Sequence, residues 1–93
     1  MVMFIKLTFK ENDTKEKILY QELSRSLKRF KETINRIDFN VYCADRCDEC
    51  FILGDYDLDD GVFGEIYVEG DDMYKKTVMN RIEGIKNLVN YMI

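Results

Sequence analysis

The sequence predicts an α+β fold of two layers, a βαβββα arrangement with a four-stranded mixed sheet and two helices on one face. Apolar residues alternate in three short segments and fill a fourth, which is typical of strands. In two longer segments they recur every three or four residues, as in amphipathic helices. Short turns join the last three strands, so we expect an antiparallel meander there, whereas the first helix lets strands one and two run parallel. The chain of 93 residues is long enough for one domain, residues 1–93.

The first strand and the first helix have the clearest patterns. Alternation over residues 3–10 predicts a strand with Met3 and Phe9 on its buried face. Asp13, followed by Glu16, fits a helix cap with its capping-box partner. Apolar residues then repeat at helical spacing as far as Ile34, which predicts one long amphipathic helix.

The second half of the chain should supply three more strands and a helix. Alternation from Ile37 predicts a second strand over residues 37–43, the apolar run at 50–53 a third, and alternation at 62–69 a fourth. Asp71 or Asp72 should cap a final helix. The face of the sheet away from the helices should be partly exposed and carry Phe4, Lys6, Tyr42, Phe63, Glu65, Tyr67 and Glu69.

Composition excludes several classes of function. The chain has no histidine, so it has no Ser-His or Cys-His nucleophile pair and no histidine-ligated zinc. An enzyme built on carboxylate pairs stays an alternative. No sequence motif indicates a particular reaction, however. We therefore expect a protein that is not an enzyme and needs no cofactor. No run of 18 apolar residues or leader-like segment is present, which favours a cytoplasmic protein with no membrane partner.

Charge is distributed unevenly along the chain. Residues 1–40 carry nine Lys or Arg and six Asp or Glu, and residues 73–93 carry four and one. Residues 41–72 carry a single base, Arg46, and eleven acids. The eleven acids are Asp45, Asp48, Glu49, Asp55, Asp57, Asp59, Asp60, Glu65, Glu69, Asp71 and Asp72.

The preference of Asp for turns and helix caps explains only some of these acids. Soluble proteins usually have surfaces on which both signs of charge are mixed, so the near absence of bases in this segment needs another explanation. One interpretation is that the acids form a face exposed to solvent. The other is that they bind an external partner, either a cation or a basic protein surface. Asp55, Asp57 and Asp59 match the start of an EF-hand loop. The glycine that such a loop needs at its sixth position is Asp60 here, and the glutamate that it needs at its twelfth is Ile66.

The three cysteines form a compact cluster, at Cys43, Cys47 and Cys50. Their spacing matches the iron–sulfur motif of radical S-adenosylmethionine enzymes, but that fold needs a far longer chain, and the aromatic residue common before the third cysteine is Glu49 here. Zinc would need a fourth ligand, for which Asp45 and Asp48 are the local candidates. We expect reduced structural cysteines, with a metal-binding or regulatory module, or a redox switch, as alternatives.

If the partner is a basic protein, the most specific hypothesis is that the acidic segment imitates DNA. Duplex DNA presents about one negative charge per 1.7 Å of axis, so eleven carboxylates match roughly five or six base pairs. A longer imitation needs two copies, and a homodimer through the aromatic sheet face is expected. Bases of the helices, such as Lys28, Arg29, Lys75 and Lys76, would oppose this binding if they shared the acidic face.

In length, charge and the acidic stretch from Asp45 to Asp72, the chain resembles a class of small acidic phage proteins that occupy the DNA-binding surfaces of host defence proteins. Within that class it is most similar to the Arn antirestriction family of T-even phages. The resemblance implies an inhibitor of a McrBC-type restriction nuclease, acting in the host cytoplasm without binding nucleic acid itself. Other expected targets are a nucleoid-associated protein and a CRISPR effector.

Overall fold

The structure is a computed structural model and describes residues 2–46 and 58–92. In chain order the elements are β1 (Val2–Lys10), α1 (Thr14–Ile34), β2 (Phe39–Asp45), β3 (Val62–Asp71), a short 3-10 helix (Asp72–Tyr74) and α2 (Lys75–Met92). None of the helices within these two ranges is sufficiently long and apolar to span a lipid bilayer.

Local side chains define where the helices begin and end. The carboxylate of Asp13 accepts a hydrogen bond from the backbone N–H of Glu16 at 3.2 Å, which confirms the predicted cap of α1. At the other end, Asn35 adopts the left-handed conformation and its N–H donates to the carbonyl oxygen of Lys31. Asp71 caps the 3-10 helix through the N–H of Met73, at 2.9 Å, and α2 follows directly.

The sheet corrects the predicted topology. β3 lies in the centre and pairs antiparallel with β1 on one side and β2 on the other. The predicted four-stranded mixed sheet is therefore wrong: over the described ranges the α+β fold has a three-stranded antiparallel sheet and two helices. The physical reason is that β3 carries the fully buried Ile66 and Val68, so the central position buries its apolar residues and satisfies both of its edges. The segment 50–53, predicted as a strand, lies outside the described residues.

Both helices pack on the same face of the sheet, and their buried residues join those of the strands in one core. Phe39 lies at its centre, with the rings of Phe30 and Tyr74 packed edge-on at 5.2 and 5.3 Å between centroids. Arg81 of α2 bonds Ser26 of α1 at 3.0 Å, which joins the two helices across their contact.

Tyr20 of α1 forms a second aromatic group, with ring centroids 5.3 Å from Phe9 and 5.5 Å from Phe63. Phe63 is therefore buried in the core, and its predicted place on the exposed face of the sheet is wrong. The cause is an irregularity in the β1–β3 pairing: Phe9 pairs with Gly64 but Lys10 pairs with Val62, so Phe63 has no partner in β1 and turns toward the helices.

Two glycines of β3 allow close packing. The ring of Tyr20 lies so near Gly64 that a Cβ there would be 2.9 Å from a ring carbon. At Gly70 a Cβ would be 2.9 Å from the Cα of Phe39 and would overlap the carbonyl oxygen of Asp38. Gly70 therefore lets the start of β2 approach the end of β3, where the N–H of Asp71 bonds the carbonyl of Asp38 at 2.9 Å.

Candidate protein-binding face

The fold separates positive from negative charge. α1 and α2 together carry ten Lys or Arg and four Asp or Glu. The remaining described residues, which form the sheet, the turns and the 3-10 helix, carry four Lys or Arg and ten Asp or Glu. The helical bases that would oppose binding to a basic partner (Lys28, Arg29, Lys75, Lys76) thus belong to one layer and most of the described acids to the other.

The face of the sheet opposite the helices is here called the outer face. Strand pairing arranges its side chains in rows across β1, β3 and β2. One row is Phe4, Glu69 and Asn40, the next is Lys6, Tyr67 and Tyr42, and the third is Thr8, Glu65 and Ala44. Apart from Phe63, the residues predicted for this face occupy it.

Glu69 and Tyr42 form a polar pair on the outer face. The Tyr42 hydroxyl donates to a carboxylate oxygen of Glu69 at 3.3 Å. Partial desolvation and the nearby charge of Glu69, together with this hydrogen bond, raise the pKa of the Tyr42 phenol above its ordinary value. Tyr42 is therefore a neutral donor at pH 7, and the hydrogen bond leaves the negative charge of Glu69 in place.

Glu65 lies in the third row and is buried, with 4% of its surface exposed. Its carboxylate accepts from the hydroxyl of Tyr67 and lies 3.8 Å from the ammonium nitrogen of Lys6. The Lys6 nitrogen also lies 5.7 Å from the centroid of the Tyr67 ring. These contacts make Glu65 a structural anchor of the face, and its burial removes it from direct contact with a partner.

The other acids nominated from the sequence are distributed over the sheet ends. Asp45 is buried on the helix side of β2, opposite Gly64, and is likewise withdrawn from the surface. Exposed acids lie at both ends of β3: Asp59 and Asp60 precede it, Asp71 is its last residue, and Asp72 follows it. The remaining four, Asp48, Glu49, Asp55 and Asp57, lie outside the described residues.

Arg46, the one base of the acidic segment, holds the turn that precedes β3. Its guanidinium donates to the carbonyl oxygens of Leu58, Asp59 and Val62 at 2.8, 2.9 and 2.7 Å. Its backbone N–H donates to the carbonyl of Phe63 at 2.9 Å. Arg46 thereby fixes the backbone that presents Asp59 and Asp60, a role that charge counting along the sequence does not reveal.

A groove opens where β1 begins and β3 ends, with a volume of about 470 Å³. Its lining includes Val2, Ile37, Asp38, Glu69, Gly70 and Asp71. Ile37 is 98% exposed and precedes β2, so its predicted place in the second strand is wrong. β2 begins only at Phe39, because Asn35 ends α1 and the chain turns before pairing with Gly70. The sequence analysis did not predict that Val2, Ile37 and Asp38 line a groove together with Glu69 and Asp71.

The cysteine cluster is described only in part. Cys43 pairs with Ile66 on the helix side of the sheet and has a free thiol, whereas Cys47 and Cys50 lie outside the described residues. Burial raises the pKa of the Cys43 thiol; Asp45 adds to the rise and Lys28 opposes it. Within the described ranges, 2–46 and 58–92, no group of three or more metal-ligating side chains occurs. Elemental analysis of the full chain for zinc and iron tests the metal-binding alternative.

Comparison of the chain with protein-family models, curated proteins and solved structures gives no match.

Proposed function

We propose that the protein is a non-enzymatic inhibitor that competes with DNA for the basic surface of a DNA-binding protein. The observation that carries the proposal is the separation of charge: acids dominate the sheet and its turns, and bases dominate the helices. A protein with this arrangement attracts a basic partner to its acidic side and turns its own bases away from it.

The exposed acids extend along the length of a DNA site of moderate size. Asp59 and Asp60 stand at one end of β3 and Asp71 and Asp72 at the other, and a strand of ten residues is about 30 Å long. DNA of that length is about nine base pairs and carries about eighteen negative charges, of which the described acids reproduce a part. Glu69 adds a carboxylate two residues before Asp71, at the same end of β3.

The first target we propose is a McrBC-type restriction nuclease, followed by a nucleoid-associated protein and a CRISPR effector. These targets place the protein in the cytoplasm of a bacterial host and require no binding of nucleic acid by the protein itself. A homodimer through the aromatic sheet face stays a prediction, and it competes with any partner that binds at Phe4 and Tyr42.

The target is identified by a pull-down from bacterial lysate, eluted with a salt gradient and repeated after nuclease treatment. We expect basic DNA-binding proteins that free DNA displaces, with affinity that falls steeply as salt rises.

The decisive comparison uses two triple variants with the same change in net charge. Asp59→Asn, Asp60→Asn and Asp72→Asn neutralise exposed acids at the ends of β3. Glu22→Gln, Glu32→Gln and Glu83→Gln neutralise acids of the helices. Competition with DNA should weaken about tenfold or more in the first triple and little in the second, because only the first changes the proposed contact surface. Equal losses, or none with the fold intact, would contradict the proposal.

A further inference from the structure

Four exposed apolar side chains lie at one corner of the acidic side. Val2, Phe4 and Tyr42 of the sheet are 82%, 60% and 51% exposed, and Ile37 beside them is 98% exposed. Val2 and Ile37 line the same groove, and Phe4 and Tyr42 both adjoin Glu69. Contiguous exposed apolar groups with a polar rim are typical of surfaces that bind another protein.

Carboxylates lie among these apolar groups. Glu69 and Asp71 line the groove with Val2 and Ile37. The hydrogen bonds that the two carboxylates accept, from the Tyr42 hydroxyl and the Met73 N–H, come from neutral donors and do not cancel their charge. Asp38, the third carboxylate of the groove, is paired with Arg36 at 3.4 Å. The groove thus offers negative charge beside apolar walls, which complements a cation on an aliphatic stem.

We propose that this groove, together with the rings of Phe4 and Tyr42 that adjoin Glu69, binds an arginine side chain of the protein partner. The inference rests on the proposed function, because a DNA-binding surface is rich in arginine. The guanidinium is directed at Glu69 and Asp71, and its methylene stem lies against Val2 and Ile37. Arginine fits better than lysine, because a planar guanidinium stacks on aromatic rings and bonds carboxylates in a bidentate manner.

An anchor of this kind changes the expected energetics of binding. Long-range attraction by the acids is screened by salt and affects mainly the association rate. An aromatic and apolar anchor at the centre of an interface slows dissociation and is much less sensitive to salt. Removing Phe4 should therefore increase the dissociation rate from the target without changing the salt dependence of association.

The probe is the peptide acetyl-(Gly-Arg)₃-amide, titrated into the ¹⁵N-labelled full chain and followed by NMR, with acetyl-(Gly-Lys)₃-amide as the comparison. We expect the arginine peptide to shift the amide signals of Val2, Phe4, Tyr42 and Glu69 and to bind more tightly than the lysine peptide. Phe4→Ala and Glu69→Gln should each weaken it about fivefold.

The control variant is Tyr91→Ala, which removes an aromatic side chain that is 93% exposed at the end of α2. It should leave peptide binding unchanged, and thermal unfolding verifies that each variant is folded. Shifts confined to Asp59 and Asp60, or equal affinity for the two peptides, would overturn the inference. So would shifts of the same four signals with protein concentration alone, since a second copy would then occupy the groove.

Failure of the proposed function has a different signature. In that case the arginine peptide binds at the groove, but the protein displaces no DNA-binding protein from DNA. The groove would then be retained as an arginine site for another kind of partner, and the competition with DNA would be rejected.

Discussion

Replacing Arg46 by methionine should destabilise the protein by about 1.5–3 kcal/mol. The variant keeps the aliphatic stem but removes the donors to the carbonyl oxygens of Leu58, Asp59 and Val62. Hydrogen bonds to charged groups contribute about 1.5–3 kcal/mol each. Because Arg46 is exposed and water can replace it, we use about 0.5–1 kcal/mol for each of the three.

Urea unfolding measures this effect. With a slope of about 1–2 kcal/mol per molar for a chain of this size, the midpoint should fall by roughly 0.8–3 M. The matched control is Arg25→Met, which removes an exposed guanidinium 3.7 Å from Glu22 and should change stability by less than about 0.5 kcal/mol. Equal midpoints for the two variants would refute the role assigned to Arg46.

The same substitution tests whether the position of the acids matters beyond their number. Arg46→Met makes the net charge more negative, so attraction by charge alone predicts tighter binding of a basic target. Loss of the fixed turn predicts weaker binding, because Asp59 and Asp60 would no longer be held in place. We expect weaker competition with DNA, and a gain in affinity would contradict the importance of the turn.

Three further predictions concern the fold. Leu27→Ala, at a position with no exposed surface, should lower the free energy of unfolding by about 3–4 kcal/mol, whereas Leu88→Ala, 55% exposed, should cost much less. Gly70→Ala should lower the melting temperature by several degrees, roughly 5 °C or more, because the added Cβ overlaps the carbonyl of Asp38. The pKa of the Cys43 thiol is raised in the folded state, so folding favours the protonated thiol. This contribution to stability is complete below the ordinary pKa of 9.0 and is lost as pH rises through the pKa of the folded state. Chemical unfolding from pH 8 to 10.5 should therefore show a steeper loss in the native chain than in Cys43→Ala, and parallel curves would contradict this.

The sequence was sufficient for elements whose patterns are local. Alternation located β1, and the spacing of apolar residues together with Asp13 located α1 and its cap. Residues whose environment depends on pairing were not predictable in this way. Ile37 continues the alternation of β2 but precedes its first pair, Phe39 with Gly70. Phe63 continues the alternation of β3, but the irregular register turns it to the helix side.

The central place of β3 was not predictable from order along the chain, because neighbouring segments joined by short turns favour a meander. The candidate site was foreseen as a set of acids, but not as a surface. Composition cannot distinguish the buried Asp45 and Glu65 from the exposed Asp59 and Asp60, since all four lie in the same acidic segment. Burial follows from which face of the sheet a residue occupies and from what packs on that face.

The position of β3 also has a consequence for synthesis of the chain. Within residues 2–46 and 58–92, β1 and β2 each pair with β3 alone, and the last residue of β3, Asp71, pairs with Val2. On the ribosome, β1 and β2 emerge before the β3 residues that they pair with, so these pairs form only after most of the chain has been translated. α1 forms from local contacts and is complete before β3 emerges, so it is available to pack against β1 and β2 until β3 joins them.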